Sequence, residues 1–265
     1  MRTALITGPS SGIGRATALS LSRLGLHIVA AGRSRERTQA LVDQISIEGG
    51  SAEYLHLDLA SLTSVRQAAV AFVQSGRPLH VLINNAGVGA ANGVTQDGFE
   101  IHWGVNHLGH FLLTNQLAPA LVERSRVVSV SSDWHYRARN LHLDRVRGRG
   151  WVPFGLGYYA TTKTANILFT RELARRHPEW ECHAVHPGLT NTNLIPWGVR
   201  LLAGGTMLTP EEAADTVVWC ATSDEVAGQS GLYYARRQIH RASPLATDDD
   251  LAAELWERSM EWVKG

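Results

Sequence analysis

Cysteine is scarce in this chain of 265 residues. Its two cysteines, Cys182 and Cys220, are too far apart in sequence to form a C-x-x-C pair. A disulfide framework or a thiolate metal site is therefore not expected. The scarcity suits a reducing, cytoplasmic setting.

Long hydrophobic runs are also missing. No apolar stretch reaches the length of about 20 residues that spans a bilayer, and the first apolar run ends in a turn at Thr7-Gly8. We therefore expect neither a signal peptide nor a membrane anchor. Charge is balanced, with 25 Lys and Arg against 24 Asp and Glu, so electrostatics give no reason to expect nucleic acid as a partner.

Short apolar runs alternate with segments of helical periodicity. This pattern predicts an α/β fold, a doubly wound (Rossmann) sheet of seven parallel strands with helices on both faces, in a single domain over residues 1–265. Ligands should bind beyond the carboxyl ends of the strands. The predicted strands lie near 3–7, 27–31, 52–56, 81–84, 126–130, 181–186 and 231–234. The predicted helices lie near 13–24, 35–47, 62–75, 98–122, 158–176, 210–222 and 248–263.

A glycine-rich turn joins the first strand to the first helix, with the spacing Gly-x-x-x-Gly-x-Gly. Glycines let the backbone turn tightly and approach a pyrophosphate, while a helix N-terminus offers free N–H groups to an anion. The turn therefore predicts a dinucleotide site built from Gly8, Ser10, Ser11, Gly12, Ile13 and Gly14.

The end of the second strand bears on the choice of cofactor. An acidic residue there would bind the ribose hydroxyl of NAD, whereas an arginine accommodates the 2′-phosphate of NADP. Gly32 leaves the acidic position empty, Arg33 follows it, and Arg15 could add charge. These residues favour NADP(H) over NAD(H), although Arg33, Arg35 and Arg37 could instead solvate the start of a helix.

Three further strand ends carry polar or turn-forming residues. Asp58, followed by Leu59, could accept from an adenine amino group or cap the next helix. The second and third of these motifs could contact cofactor or form plain turns. They comprise Asn84, Asn85, Ala86 and Gly87 after the fourth strand, and Pro187, Gly188, Thr190 and Thr192 after the sixth.

The helix predicted after the fourth strand contains Asn106, a poor helix former that calls for a reason. His102, His107 and His110 lie on the same helix and resemble metal ligands at first sight. No acidic or cysteine partner appears at ligand spacing, so a metal site is not expected.

Tyr159 and Lys163 are four residues apart in a helical segment, so their side chains share one face. Tyr158 is five residues from the lysine and cannot do the same. An ammonium beside a phenol favours the phenolate and would lower the pKa of the tyrosine towards neutrality. The alternative is a simple helix-surface pair.

These spaced motifs resemble the short-chain dehydrogenase/reductase superfamily over nearly the whole chain. The resemblance matches Thr7–Gly14 to the cofactor turn, Asn84–Gly87 to the Asn-Asn-Ala-Gly motif, and Tyr159 and Lys163 to Tyr-x-x-x-Lys. It matches Ser132, rather than Ser131, to the catalytic serine and Asn106 to the helix asparagine. Residues 105–111, an insertion at about 133–156, residues 168–173 and residues 243–246 resemble the retinol-dehydrogenase-like branch.

The resemblance implies reversible hydride transfer between NADP(H) and a carbonyl or a primary or secondary alcohol. Tyr159 would protonate the alkoxide, and Ser132 would orient the carbonyl. Lys163 would lower the tyrosine pKa and bind the nicotinamide ribose, while Asn106 would hold a relay water. The alternatives are a catalytically silent NADP(H) sensor or scaffold, and a C=C reductase.

Apolar residues predict a hydrophobic small-molecule substrate. A flap at about 189–208 contains Leu194 and Trp197, and Trp134 and Trp151 could form further walls, unless these residues only pack the loop down. The family resemblance implies a homodimer or homotetramer that associates through the helices bearing Asn106 and Tyr159.

Overall fold

Eight strands form a twisted sheet in the computed structural model, which describes residues 1–149, 155–189 and 207–264. Their spatial order is β3-β2-β1-β4-β5-β6-β7-β8. Neighbours from β3 through β7 pair in parallel, and β8 pairs antiparallel with β7. The strands are β1 (Thr3–Thr7), β2 (His27–Gly32), β3 (Ser51–His56), β4 (Leu79–Asn84), β5 (Leu121–Val130), β6 (Glu181–His186), β7 (Leu232–Ala235) and β8 (Gln238–Ile239).

Helices cover both faces of the sheet, and an apolar core lies on each side of it. One core contains Ile28, Val128 and Tyr234, and the other contains Trp103 and Phe111. The α-helices are α1 (Gly12–Arg23), α2 (Arg35–Ile47), α3 (Leu62–Gln74), α4 (Gly109–Leu117), α5 (Leu156–Arg176), α6 (Pro210–Thr222) and α7 (Asp249–Trp262). None of the helices within the described ranges is long and apolar enough to cross a membrane.

The predicted fold class is confirmed, but the predicted number of strands is wrong by one. The additional strand, β8, has two residues, too few for an alternating pattern to reveal it in the sequence. Arg236 and Arg237 precede it with φ values of 51° and 56°. Positive φ at both central residues is typical of a two-residue hairpin.

The helix predicted over 98–122 is also wrong at both ends. The helical segment contains a π-helix (Trp103–Leu108), α4 and a short 3₁₀ turn (Ala118–Ala120). Proline at the second position of that turn cannot donate a backbone hydrogen bond, and β5 already begins at Leu121. Apolar residues continue from the helical segment into β5, so hydrophobic periodicity alone does not show where the helix ends.

Aromatic side chains attach α7 to α4 and α5. The Trp256 ring lies 5.0 Å from the Phe111 ring and stacks at 6.0 Å on the Phe169 ring. The helix therefore covers part of the surface through which the family resemblance predicts association. The homodimer or homotetramer stays a prediction, and it would need the surface of α4 and α5 that α7 leaves uncovered.

His183 allows a test of how much an unpaired buried imidazole lowers the free energy of unfolding. It is fully buried on β6, and neither ring nitrogen has a hydrogen-bond partner among the described residues. Replacing an unpaired buried polar group with an apolar one removes its desolvation cost. We expect His183→Leu to raise the free energy of unfolding at pH 7 by about 1 kcal/mol in urea denaturation.

Acid titration adds a second readout for this substitution. Burial lowers the pKa of His183 from 6.5 to about 3. The unfolded chain therefore binds a proton that the native chain does not as pH falls from 6.5 towards 3, and stability is lost over that range. His183→Leu should reduce this loss of stability. His240 is exposed, so the control His240→Leu should change neither the stability at pH 7 nor its loss towards pH 3. Lower stability of His183→Leu at pH 7 would contradict the account.

Candidate active site

A cleft of about 950 Å³ opens at the carboxyl ends of the parallel strands. Most of the predicted site residues line it. They are Gly8, Ser10, Ser11, Gly12, Ile13, Gly14, Arg33, Asp58, Leu59, Asn85, Ala86, Gly87, Ser132, Trp134, Tyr159, Lys163, Pro187 and Gly188. Asn106 lies behind the cleft wall, and five predicted residues lie outside the described ranges: Trp151, Thr190, Thr192, Leu194 and Trp197.

The glycine turn packs closely against the end of β4. A Cβ atom on Gly14 would lie 2.3 Å from the Gly8 carbonyl oxygen and 2.5 Å from Asn85 Nδ2. The Asn85 amide donates to the carbonyls of Thr7 and Gly8, at 2.9 and 3.3 Å. The Thr7 hydroxyl accepts from the backbone N–H groups of Asn85 and Ala86, both at 3.0 Å. Thr7 therefore joins the end of β1 to the end of β4. It was predicted only as part of the glycine-turn motif, with no role of its own.

The N-terminus of α1 lacks the side-chain cap that four other helices of the described chain have. Side chains cap α2, α3, α6 and α7, but Ser11 makes no side-chain cap to α1, whose first turn also lacks an acidic residue. Its first N–H groups and the positive end of the helix dipole lie beside the cleft. A phosphate group of a dinucleotide fits this position.

Basic residues surround the end of β2. Arg33 and Arg37 both line the cleft and both are exposed to solvent, so binding of a 2′-phosphate and solvation of the helix start both stay predictions. Arg37 was not among the predicted site residues. Arg15, offered as extra charge, instead donates to the side chain of Gln44. A Cβ on Gly32 would lie 2.6 Å from Thr38 Oγ1, which leaves little room for an acidic side chain there.

Asp58 does not cap the following helix. Its carboxylate accepts from the backbone N–H of Ala60 at 3.0 Å, while Ser61 is the N-cap of α3. Of the two alternatives, the helix cap is therefore wrong. Contact with an adenine amino group stays a prediction, which the position of Asp58 in the cleft permits.

The two adjacent serines after β5 have different partners. The Ser131 hydroxyl donates to the backbone carbonyl of Lys163 at 2.7 Å and so joins β5 to α5. The Ser132 side chain is close enough to the Tyr159 hydroxyl to lower its pKa, and it accepts from the backbone N–H of Trp134 at 3.3 Å. The serine that faces the tyrosine is therefore Ser132.

Lys163 and Tyr159 lie side by side, as their spacing predicts. Lys163 Nζ is 5.5 Å from the centroid of the Tyr159 ring and donates to the Val130 carbonyl at 2.8 Å. The expectation that the ammonium lowers the tyrosine pKa is wrong for this structure. Burial raises the pKa of Tyr159, the nearby Ser132 side chain opposes that rise, and burial lowers the pKa of Lys163 to about 8.

Asn106 lies within the π-helix and is fully buried. Its side chain accepts from the backbone N–H of Val88 at 2.8 Å and donates to the Val88 carbonyl at 3.1 Å. It also donates to Thr162 Oγ1 at 3.2 Å. These contacts explain a poor helix former at this position: the amide holds the loop after β4 against α5. The relay water stays a prediction.

The three histidines near Asn106 do not converge on a common point. His102 contacts Glu100, His107 contacts Ser259, and His110 contacts the Thr7 hydroxyl at 2.9 Å. His110 Nδ1 also faces the Asn106 carbonyl, which can only accept, so the other ring nitrogen accepts from Thr7. Burial lowers the pKa of His110 to about 4, which fits this neutral form.

Apolar residues line the cleft beside Tyr159. The Trp134 ring lies edge-to-face with the tyrosine ring at 6.0 Å, and the guanidinium of Arg137 covers the tryptophan. Leu189, the first residue of the predicted flap, also lines the cleft. Three further apolar lining residues were not predicted, of which Ile101 and Val105 are four apart, a helical spacing that could have indicated them. They are Ile101, Val105 and Leu156.

Segment 133–149 of the predicted insertion contains two 3₁₀ turns and is attached to the domain by buried Leu141 and Val146. Its arginines are exposed to solvent. Arg147 lies over the Phe99 ring at 4.1 Å. Within the described part of the insertion, Asp133, Trp134 and Leu156 line the cleft.

The sheet order, the glycine turn and the cleft at the strand ends together define a Rossmann-type dinucleotide-binding protein. Comparison with known sequences specifies the family. The short chain dehydrogenase family model matches residues 2–140, more than half of the chain. The chain belongs to the short-chain dehydrogenase/reductase family, an oxidoreductase family.

Among curated relatives, human dehydrogenase/reductase SDR family member 13 is 42% identical over 97% of this chain and 72% of its own length. Human polyprenol dehydrogenase is 38% identical over 98% of this chain and 84% of its own length. Human retinol dehydrogenase 14 is 39% identical, covering 97% and 85%. The resemblance to the retinol-dehydrogenase-like branch is thereby confirmed.

Solved structures show the same fold. An uncharacterised protein from Mycobacterium paratuberculosis superposes with a TM-score of 0.82 at 35% identity, covering 100% of this chain and 94% of that chain. A short-chain dehydrogenase from Burkholderia cenocepacia, solved in complex with NADP, gives a TM-score of 0.71 at 26% identity, covering 88% and 95%.

Proposed function

We propose that the protein is an NADP(H)-dependent carbonyl reductase or alcohol dehydrogenase acting on a hydrophobic small molecule. The observation that carries the proposal is that Ser132, Tyr159 and Lys163 line the same cleft, with Lys163 Nζ 5.5 Å from the centroid of the tyrosine ring. The cofactor supplies or accepts the hydride, while the protein positions the reactants and handles the proton.

The properties of Tyr159 suit a proton donor. Its raised pKa keeps the phenol protonated near neutrality, which is the form that can give a proton to an alkoxide during reduction. Ser132 can donate to the same oxygen and stabilise the charge that develops on it. Lys163 would bind the nicotinamide ribose, and burial leaves its amine with a pKa of about 8.

Cofactor choice can be tested at Arg33. If its guanidinium binds the 2′-phosphate, Arg33→Ala should weaken NADPH binding by about 1.5–3 kcal/mol, or roughly 10- to 100-fold in Kd. NADH lacks the phosphate, so its Kd should change little. Titration of cofactor fluorescence measures both constants.

Arg35→Ala is a matched control for the Arg33 variant. Arg35 lies over the Tyr54 ring at 5.9 Å and is not part of the cleft lining. Its removal should leave the ratio of NADPH to NADH affinity unchanged. A wild-type preference for NADH would refute the assignment of Arg33.

The proposed substrate is apolar because Trp134 and four other apolar side chains line the cleft, namely those of Ile101, Val105, Leu156 and Leu189. The names of the relatives polyprenol dehydrogenase and retinol dehydrogenase 14 support the same substrate class. Purified protein should be screened with NADPH and NADP against aliphatic, aromatic and isoprenoid carbonyls and alcohols. No turnover with any of them would favour a silent NADP(H) sensor or scaffold.

Deuterium transfer separates carbonyl reduction from C=C reduction. With NADPH deuterated at the transferred position and an unsaturated carbonyl substrate, deuterium should appear on the carbinol carbon. Deuterium at the former double bond would instead support the C=C reductase. A cytoplasmic location and a homo-oligomeric state remain part of the proposal.

A further inference from the structure

A buried pair of ionisable side chains lies close to Tyr159, outside the proposed catalytic set. Glu100 is 2% exposed and His102 is 0% exposed. Glu100 Oε1 is 2.8 Å from His102 Nδ1. Glu100 is therefore the acidic partner of this histidine, at a spacing in the sequence that does not match a metal-ligand pattern.

The contacts of the pair determine where its protons lie. Both ring nitrogens of His102 face acceptors, since Nδ1 faces Glu100 and Nε2 faces the carbonyl oxygen of Gly89. A neutral imidazole donates from one nitrogen only, so a ring that satisfies both acceptors carries two protons.

Glu100 is arranged to be the matching anion. Its second carboxylate oxygen, Oε2, accepts from the backbone N–H groups of His102 at 3.0 Å and Trp103 at 3.1 Å. Hydrogen bonds of this kind favour the ionised carboxylate. A buried charge is tolerated when it is paired and hydrogen-bonded, and both conditions hold here.

His102 lies where three segments of the site meet. It precedes the π-helix, and its Nε2 contacts Gly89, which follows β4 and lines the cleft. Its ring lies edge-to-face with Tyr159, with 6.5 Å between centroids. A Cβ on Gly155, the residue before α5, would come within 2.3 Å of His102 Cε1, so the imidazole fits closely beneath the start of α5.

We propose that Glu100 and His102 form a buried carboxylate–imidazolium pair that positions Tyr159 and the Gly89 segment. His102 acts as a positioning residue through these neighbours. Other titratable groups near the pair come from α5: Tyr158, Tyr159 and, against the Tyr159 ring, Lys163. The consequence for turnover rests on the proposed function, but the protonation state of the pair does not.

The first test is a spectroscopic one on the unaltered protein. In protein labelled with ¹⁵N-histidine, we expect nitrogen–proton correlation spectra at neutral pH to show a proton on both ring nitrogens of His102. His107 and His110, whose pKa values burial lowers to about 3 and about 4, should show one ring proton each. A single ring proton on His102 would overturn the proposal whatever the activity.

The second test separates positioning from general stability. Glu100→Gln keeps the shape but removes the charge, and it should remove the second ring proton of His102. His102→Gln should lower kcat/KM by about 10- to 100-fold, because small displacements of reacting groups cost about that much. NADPH affinity should change much less than kcat in both variants.

The chain supplies a matched control in a second histidine–glutamate pair. His177 Nδ1 lies 3.0 Å from Glu179 Oε1, but this pair is solvent-accessible and lies at the far end of α5. His177→Gln should leave kcat/KM unchanged. Unchanged turnover in His102→Gln would refute the positioning role. An active Tyr159→Phe variant would refute the proposed function, but it would not affect the spectroscopic test of the His102 protonation state.

Discussion

Replacing Tyr159 with phenylalanine should reduce kcat by about 10²- to 10⁴-fold, the usual cost of removing a general acid. The substitution deletes the hydroxyl that meets Ser132 but keeps the ring against Trp134 and His102. NADPH should therefore bind with nearly unchanged affinity. Stopped-flow single turnovers and cofactor fluorescence measure the two quantities separately.

Tyr158→Phe is the matched control for this experiment. Tyr158 is half-buried, neighbours Tyr159 in sequence and is not part of the cleft lining. The same chemical change there should leave kcat within a few-fold of wild type. If Tyr159→Phe retains most of its turnover, or if the two variants lose activity equally, Tyr159 is not the proton donor.

The adjacent serines should respond in opposite ways to alanine. Ser132→Ala removes the hydroxyl that faces Tyr159, and the loss of one donor to a developing oxyanion typically lowers kcat by about 10²- to 10³-fold. Ser131→Ala removes the hydrogen bond to the Lys163 carbonyl. We expect Ser131→Ala to cost about 1 kcal/mol in the free energy of unfolding and to affect kcat far less.

Steady-state rates and urea denaturation of both variants distinguish the two roles. Ser132 also caps the short turn at Asp133–Arg137, so its variant should lose some stability in addition to activity. Equal losses of kcat in the two variants would contradict the assignment. So would an active Ser132→Ala variant.

Local features of the site could be predicted from sequence, because local spacing determines them. A glycine turn between a strand and a helix, and a tyrosine four residues before a lysine, each define their geometry within one element. The pairing of Ser132 with Tyr159 requires β5 and α5 to pack together, and here the family resemblance supplied what spacing could not. The position of Arg33 likewise follows from the sheet topology.

Other features depend on tertiary contacts that leave no pattern in the sequence. The prediction that the pKa of Tyr159 is lowered was wrong because burial disfavours both the Tyr159 phenolate and the Lys163 ammonium. The sequence does not show how deeply a side chain is buried. Asn106 gave a signal through its poor helix propensity, but its partner Val88 could not be named. Glu100 and His102 are separated by a single residue in the sequence, and the Gly89 carbonyl that His102 contacts comes near them only in the folded chain.

The π-helix at Trp103–Leu108 sets the angular phase of the helical segment that follows it. A π turn holds one residue more than an α turn, and each residue added to a helix rotates everything after it by about 100°. Deleting one residue from this turn would restore regular winding but swing His110 away from Thr7 and Phe111 away from Trp256. Because of the extra residue in the π turn, the residues before the turn can face the cleft while those after it face the core. The number of residues in the turn is therefore constrained.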